Sequence, residues 1–206
     1  MTEAELRALV LFENPDFLVL DKPAGLLVHP VATDSVALTQ FLPLLGEGLR
    51  LCHRLDRETS GCLLLGKTDA AVKQAGHWFM NGLVVKHYLA LVSPAPEAES
   101  GSIDLPLKKI AARMRPAADG QAARTDWLVL ERRAETALLQ LTPKTGRTHQ
   151  LRAHLSAQGW PILGDRFYDG QPAPRLMLHA AALTLPGFPP LTAPLPEEFI
   201  GFPAQE

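Results

Sequence analysis

Cysteine is nearly missing from this chain of 206 residues, which carries only Cys52 and Cys62. Their wide spacing fits neither a disulfide framework nor a zinc knuckle with its close Cys-x-x-Cys pairs. A reducing cytoplasm and two packing thiols are expected. Long hydrophobic runs are also missing, and none approaches the ~18 apolar residues of a membrane span. The acidic start Met1-Thr2-Glu3-Ala4-Glu5 lacks the basic and apolar regions of a secretory signal, so a soluble, untargeted protein is expected. Excess charge of either sign is absent as well: 20 Lys/Arg stand against 22 Asp/Glu, a net charge of −2 at pH 7. That balance argues against a protein that coats nucleic acid non-specifically. No Gly-x-Ser-x-Gly elbow, phosphate-binding loop or dinucleotide glycine fingerprint occurs, which leaves serine-hydrolase, nucleotide-triphosphatase and dinucleotide readings without support.

What is present is an apolar fraction of 47%, with 18 Pro and 15 Gly. At roughly 100–200 residues per domain, this length predicts one compact domain, or two small lobes sharing a core. The even charge balance hides a gradient, because residues 104–175 carry 12 Lys/Arg and 7 Asp/Glu, a balance of +5, and the remainder 8 and 15, a balance of −7. A locally basic surface and a chance distribution of solvated charge both fit that gradient.

Short apolar, β-rich runs bounded by Pro and Gly recur along the chain. Phe17 to Leu20, Leu26 to Val28 and Cys62 to Leu65 read as strands closed by turns. Val84 to Val92, Thr125 to Leu130, Thr136 to Leu141 and Leu176 to Leu185 continue the pattern. Helical spacing is rarer. It predicts helices over Val36 to Leu45, over Ala70 to Asn81 with Val72, Ala75 and Phe79 on one stripe, and over Thr148 to Ala157. Thr68 or Asp69 would cap the second and Gly82 end it, and the third would stop before Gly159. Pro94 to Gly101 and Ala117 to Ala123 read as loops. The Pro-rich tail from Pro186 to Pro203 carries Phe188, Leu191, Leu195, Phe199 and Phe202, and is expected to wrap the surface.

Three segments are dense enough in chemistry to suggest a site. In His53-Arg54-Leu55-Asp56-Arg57-Glu58-Thr59-Ser60-Gly61 a carboxylate flanked by two arginines stays ionised, a nucleophile or base and not an acid. Taken alone the segment also reads as a solvated loop. In Gly146-Arg147-Thr148-His149-Gln150-Leu151-Arg152-Ala153-His154, Arg147 and His149 stand at a helix N-terminus that attracts anions, and His149 and Arg152 are three apart, able to point from one face into one cleft. A polar helix face in solvent fits equally. His149 and His154, five apart with no third ligand at metalloenzyme spacing, make a poor metal site. In the strand Lys86 to Val92, alternation puts Lys86, Tyr88 and Ala90 on one face. There Tyr88 is either core or a ring that stacks on a planar substrate.

Taken together these motifs resemble the pseudouridine synthases of the RluA type. The likeness is carried by His53 to Gly61, by Lys86-x-Tyr88-x-Ala90-x-Val92, and by Gly146 to Arg152 followed by Gly159-x-Pro161-Ile162-x-Gly164-Asp165. Leu20 to Pro30 looks like the family's first motif; Leu178-His179-Ala180 and Ala193 to Phe199 look like its last. Two departures are Val31-Ala32 after the His-Pro turn, where the family often has glycine, and Asp169 inserted between Tyr168 and Gly170.

The resemblance implies an α+β fold with a central, mostly antiparallel mixed sheet, flanking helices and a catalytic cleft across it. It implies one catalytic domain over 1–206, without the small N-terminal RNA-binding domain of longer members. The implied activity is the cofactor-free and metal-free isomerisation of uridine to pseudouridine in a structured ribosomal or transfer RNA; a cytoplasmic protein is expected from the cysteine usage, and nothing in the sequence demands more than a monomer. Asp56 matches the catalytic aspartate, for which the family leaves open attack on C1′ or removal of a sugar proton. Tyr88 matches the tyrosine that stacks on the base and takes the C5 proton, and Arg152 the arginine paired with the carboxylate. Arg54 matches the residue that fills the gap left by the flipped nucleotide, and His53, Arg147, His149 and Gln150 fall to substrate binding. Substrate choice would rest on the basic stretch Lys108 to Arg175 and favour a compact stem-loop. The rival readings are a non-catalytic RNA-binding factor on the same fold, and a glycoside hydrolase, which would need a second acid beside Asp56. Glu58, the nearest, is expected to be a surface residue beside Arg57.

Overall fold

The computed structural model describes residues 1–31, 35–133 and 135–200; Ala32 and Phe202 lie outside them. Along the chain run α1 (Glu3–Arg7), β1 (Val10–Glu13), β2 (Phe17–Lys22), β3 (Arg50–Leu51), β4 (Ser60–Gly66), α2 (Asp69–Met80), β5 (Val85–Val92), β6 (Ser100–Asp104), β7 (Leu107–Ile110), β8 (Arg113–Pro116), β9 (Arg124–Arg133), β10 (Thr136–Pro143), α3 (Gln150–Ala157), β11 (Leu178–Thr184), β12 (Leu191–Thr192) and α4 (Glu197–Ile200). They form two compact units, Met1–Val85 with Ala180–Pro194, and Lys86–His179 with Leu195–Glu206. The class is α+β, with helices in the minority and antiparallel ladders.

In the first unit the strand order is β1-β2-β4-β11. Every residue of β4 is buried, which explains why Cys62 to Leu65 is an unbroken apolar run and not an alternation. β2 pairs with it antiparallel, from Phe17 opposite Gly66 to Lys22 opposite Gly61. Gly61 has φ +105°, and a Cβ there would fall 2.2 Å from the Ala180 carbonyl oxygen, so glycine alone lets β4 begin this close to β11. Helix α2 buries Ala71, Ala75 and Trp78, one residue round from the expected stripe. Thr68 caps it by accepting the Ala71 N–H at 3.1 Å. Phe188 from the Pro-rich tail packs between Phe12, Phe17 and Trp78, with ring centroids 6.0–6.3 Å apart, so this part of the tail wraps the surface as expected.

The helix expected over Val36 to Leu45 is not there. Leu38–Gln40 and Leu42–Leu44 are two 3-10 turns. Pro43 has no N–H to give and its ring crowds the preceding turn, so the i, i+4, i+7 burial of Leu38, Leu42 and Leu45 is met without an α-helix. Leu26 to Val28, expected as a strand, contributes only a parallel bridge from Leu27 to Ala37.

In the second unit the order is β5-β10-β9-β6, with Ala137 to Leu141 of β10 opposite Val92 to Tyr88 of β5. Leu139, Leu141, Leu155, Ile162 and Met177 fill its core. Strands β6, β7 and β8 were not expected: β6 is largely exposed, and the hairpin β7–β8 is short and rich in Lys and Arg, so neither shows apolar alternation. Helix α3 starts two residues later than expected, because His149 takes φ +50° as its N-cap. No helix among the described residues is long and apolar enough to cross a membrane.

Candidate active site

In the first unit the chain leaves β3, turns through His53–Thr59 and enters β4. Leu55, Thr59 and Ser60 are buried, Asp56 is half-buried and Arg54 is exposed. The turn closes on itself where the Asp56 carbonyl accepts the Thr59 N–H at 3.2 Å. Its shape is held from outside by Lys22, which lies within the Leu20 to Pro30 motif and has no role assigned from sequence. Lys22 is fully buried, and its ammonium donates to the carbonyls of Pro23 (2.7 Å), Leu26 (3.0 Å) and Arg57 (3.0 Å). An ammonium has three N–H donors, and these three carbonyls satisfy them, which offsets the large cost of taking the charge out of water. The available signal was a lysine closing the apolar strand Phe17-Leu18-Val19-Leu20 just before proline.

Gly25 adds to the same clasp. Its N–H reaches the Arg57 carbonyl at 2.9 Å and its carbonyl accepts Arg57 Nε at 2.9 Å. Arg57 also faces Glu58 at 3.4 Å on the surface, the place expected for Glu58. The ring of His53 lies 5.0 Å from that of Phe79, and its Nε2 accepts the Leu64 N–H at 3.0 Å. Burial raises the thiols of Cys52 and Cys62 to about 12, so both are unreactive packing groups at neutral pH.

In the second unit Tyr88 lies on β5, opposite Leu141 and packed against the core. Lys86, two residues earlier, is held below the ordinary lysine range by burial. His149 and Arg152 do converge, and they do so on Tyr168. His149 Nδ1 lies 3.1 Å from the Tyr168 hydroxyl, and the Arg152 guanidinium lies 5.1 Å from the centre of its ring. The same hydroxyl accepts the Met114 N–H at 3.0 Å, tying the β7–β8 hairpin to this cluster.

Arg152 is buried and forks onto Asp165, Nε to Oδ2 at 2.7 Å and Nη2 to Oδ1 at 2.8 Å. Asp165 Oδ1 also accepts the N–H groups of Phe167 and Tyr168, each at 3.1 Å. This two-point pairing fixes the guanidinium plane. Asp165 closes the Gly159 to Asp165 motif with no role assigned from sequence, and only its place after a glycine-bounded turn signals one. At Gly164 φ is +77° and a Cβ would meet the Arg175 carbonyl oxygen at 1.8 Å.

Gln150 is buried with its amide committed inside the chain. Its oxygen accepts from the Thr145 hydroxyl (2.6 Å) and the Arg147 N–H (3.0 Å), and its nitrogen donates to the Arg124 carbonyl and the Thr125 hydroxyl oxygen, both at 3.0 Å. His154 continues the network. Its Nε2 must donate to the Leu105 carbonyl, which leaves Nδ1 to accept from Thr125. Arg147 is exposed and reaches the Ala122 carbonyl through Nε at 3.0 Å. Among the described residues no group of three or more His, Cys, Asp or Glu is placed to hold a metal ion.

The chain matches the family model for RNA pseudouridylate synthase over residues 16–157. It is 40% identical to an uncharacterized RNA pseudouridine synthase of Zymomonas mobilis, over 94% of this chain and 97% of that protein. It is 37% identical to the ribosomal large subunit pseudouridine synthase C of Escherichia coli, over 89% of this chain but 64% of that protein. The human protein RNA pseudouridylate synthase domain containing 4 shares its fold, with a TM-score of 0.83 and 30% identity, over 96% of this chain and 92% of that one.

Two outcomes follow from the buried groups. Asp165→Ala removes both carboxylate oxygens that the buried Arg152 guanidinium meets and is expected to cost about 3–5 kcal/mol of stability by chemical denaturation; a loss below about 1 kcal/mol would refute the pairing's importance. His154 is held below its usual 6.5 by burial, so below that pH the unfolded chain takes up a proton that the folded one resists. Stability is then complete above about pH 6.5 and falls on acidification, by at most about 1.4 kcal/mol per pH unit from this group. His154→Gln should flatten the curve of stability between about pH 7 and 5, and an unaltered slope would contradict the assignment.

Proposed function

The chain belongs to the RNA pseudouridylate synthase family, of the RluA type, and from that premise we propose that it isomerises uridine to pseudouridine in ribosomal RNA with Asp56 as its catalytic carboxylate. The observation that carries the reading is the family match over residues 16–157, a span that contains Asp56, Tyr88 and Arg152. Asp56 acts on the ribose, either at C1′ or on a sugar proton, and the N1–C1′ bond breaks. The uracil turns, C5 bonds to C1′, and the proton displaced from C5 is taken by Tyr88 while N1 gains one, so the product is an isomer of the substrate. Arg152 supplies a fixed positive charge to this chemistry. Arg54, exposed at the Asp56 turn, enters the stack that the nucleotide leaves, offsetting part of the few kcal/mol of unstacking.

Ribosomal RNA is favoured as substrate because relatives such as the Escherichia coli protein carry that target in their names. The chain spans only 54–64% of the length of these C and D synthases, so substrate choice is itself part of the proposal. Phosphate contact falls to the β7–β8 hairpin and its surroundings, within the basic stretch Lys108 to Arg175. The hairpin strands carry Lys108, Lys109, Arg113 and Arg115 and no acidic residue, the chemistry that holds a nucleic-acid backbone. Arg147 and His149 serve the same RNA.

The test is a transcriptome-wide map of pseudouridine in cells with the gene intact, deleted, or replaced by Asp56→Asn. Loss of the same discrete ribosomal sites in the deletion and the substitution is expected. Loss confined to transfer RNA would move the substrate. Persistence of every site, with purified protein inert on both RNAs, would leave a non-catalytic RNA-binding factor as the reading.

A further inference from the structure

β3 pairs with β4 for two residues only, Arg50 opposite Gly66 and Leu51 opposite Leu65. The next step of the ladder begins normally, with the Cys52 N–H donating to the Leu64 carbonyl at 3.0 Å. Its second half does not follow. The Leu64 N–H goes instead to Nε2 of the His53 ring, at 3.0 Å. An imidazole nitrogen thus stands where the Cys52 carbonyl would have been, and the backbone is released into the turn that carries Asp56. Leu64 is fully buried, so its N–H would be left without a partner if the ring were withdrawn. The ring is held on its flank by Phe79 of α2, 5.0 Å between centroids.

This geometry fixes the chemistry of the ring. A backbone N–H can only donate, so His53 Nε2 accepts, and the ring is neutral with its proton on Nδ1. Downstream of Asp56 the Arg57 carbonyl is held by Lys22 and Gly25. Upstream the corresponding hold is His53, three residues before Asp56. We propose that His53 is a positioning residue for Asp56: as the Nδ1–H tautomer it replaces one backbone hydrogen bond of the β3–β4 ladder and sets the point at which the chain departs toward the carboxylate. The proposal rests on the pseudouridine synthase reading, and it moves His53 from the RNA-contacting residues to those that act through another.

Two substitutions separate those roles. His53→Phe keeps a ring against Phe79 and removes the acceptor; His53→Gln keeps an acceptor oxygen at the end of a side chain of similar reach. With a ribosomal RNA fragment as substrate, His53→Phe is expected to lower kcat roughly 10- to 100-fold, the scale of a misplacement near 1 Å. KM should stay within about twofold, and His53→Gln should recover most of the lost kcat. Should His53→Phe fail to fold, the ¹⁵N shifts of the wild-type ring decide, and an Nε2–H tautomer would overturn the proposal. A rise in KM at constant kcat in both variants would overturn it in favour of direct RNA contact, and wild-type kcat in the Phe variant would overturn it outright. Wild-type protein that makes no pseudouridine in the same assay would instead sink the functional reading beneath it, a result distinct from all of these.

Discussion

A lysine ammonium taken out of water is tolerated only when all its donors are met, and at Lys22 they are met by three carbonyls brought together from separate stretches of chain. Two of them, Pro23 and Leu26, belong to the turn after β2; the third, Arg57, belongs to the turn that carries Asp56. The charge therefore joins segments that no ladder pairs. The Gly25–Arg57 contacts and the His53–Leu64 bond work in the same direction. The turn that carries Asp56 is thus held by buried polar groups around a loop, which is the fixed placement that the proposed role of its carboxylate requires.

The second unit uses the same device. Asp165 meets the Arg152 fork and two backbone N–H groups at once. Gln150, Thr125 and His154 form a chain in which each donor has an acceptor and each tautomer is determined. Such networks give little net stability when complete and cost several kcal/mol when broken. Their effect is to make one arrangement of the Thr145–Arg152 segment much better than its neighbours. That segment carries Arg147, His149 and Arg152, the residues to which the proposed function gives RNA contact and a fixed positive charge.

The sequence made the buried strands legible, because β4 and β10 bury what their composition says they must, and it made α2 legible through Thr68 and Gly82. It misplaced Val36 to Leu45, where apolar spacing suits an α-helix but Pro43 forbids one. It missed β6 and the β7–β8 hairpin, whose exposure leaves no apolar periodicity to read. At the candidate site the dense motifs pointed to Asp56, Tyr88 and Arg152 by resemblance. Lys22 and Asp165 went unassigned because their significance lies in partners distant along the chain or in backbone carbonyls, which leave no pattern in side-chain type. Gln150 and His53, read as residues for RNA, make hydrogen bonds within the protein, Gln150 to two threonine hydroxyls and two backbone groups and His53 to the Leu64 N–H, a use that composition does not distinguish from substrate contact.

Membership of the RNA pseudouridylate synthase family and a rigidly held Asp56 turn together make one central claim, that this chain replaces the N1–C1′ bond of a uridine with a C5–C1′ bond. The most direct test is release of tritium to solvent from ribosomal RNA labelled at C5 of uridine, with purified protein and no added cofactor. The account predicts release that rises to a fixed small number of equivalents per RNA and then stops. No release above background from ribosomal or transfer RNA, by protein shown to be folded, would contradict it.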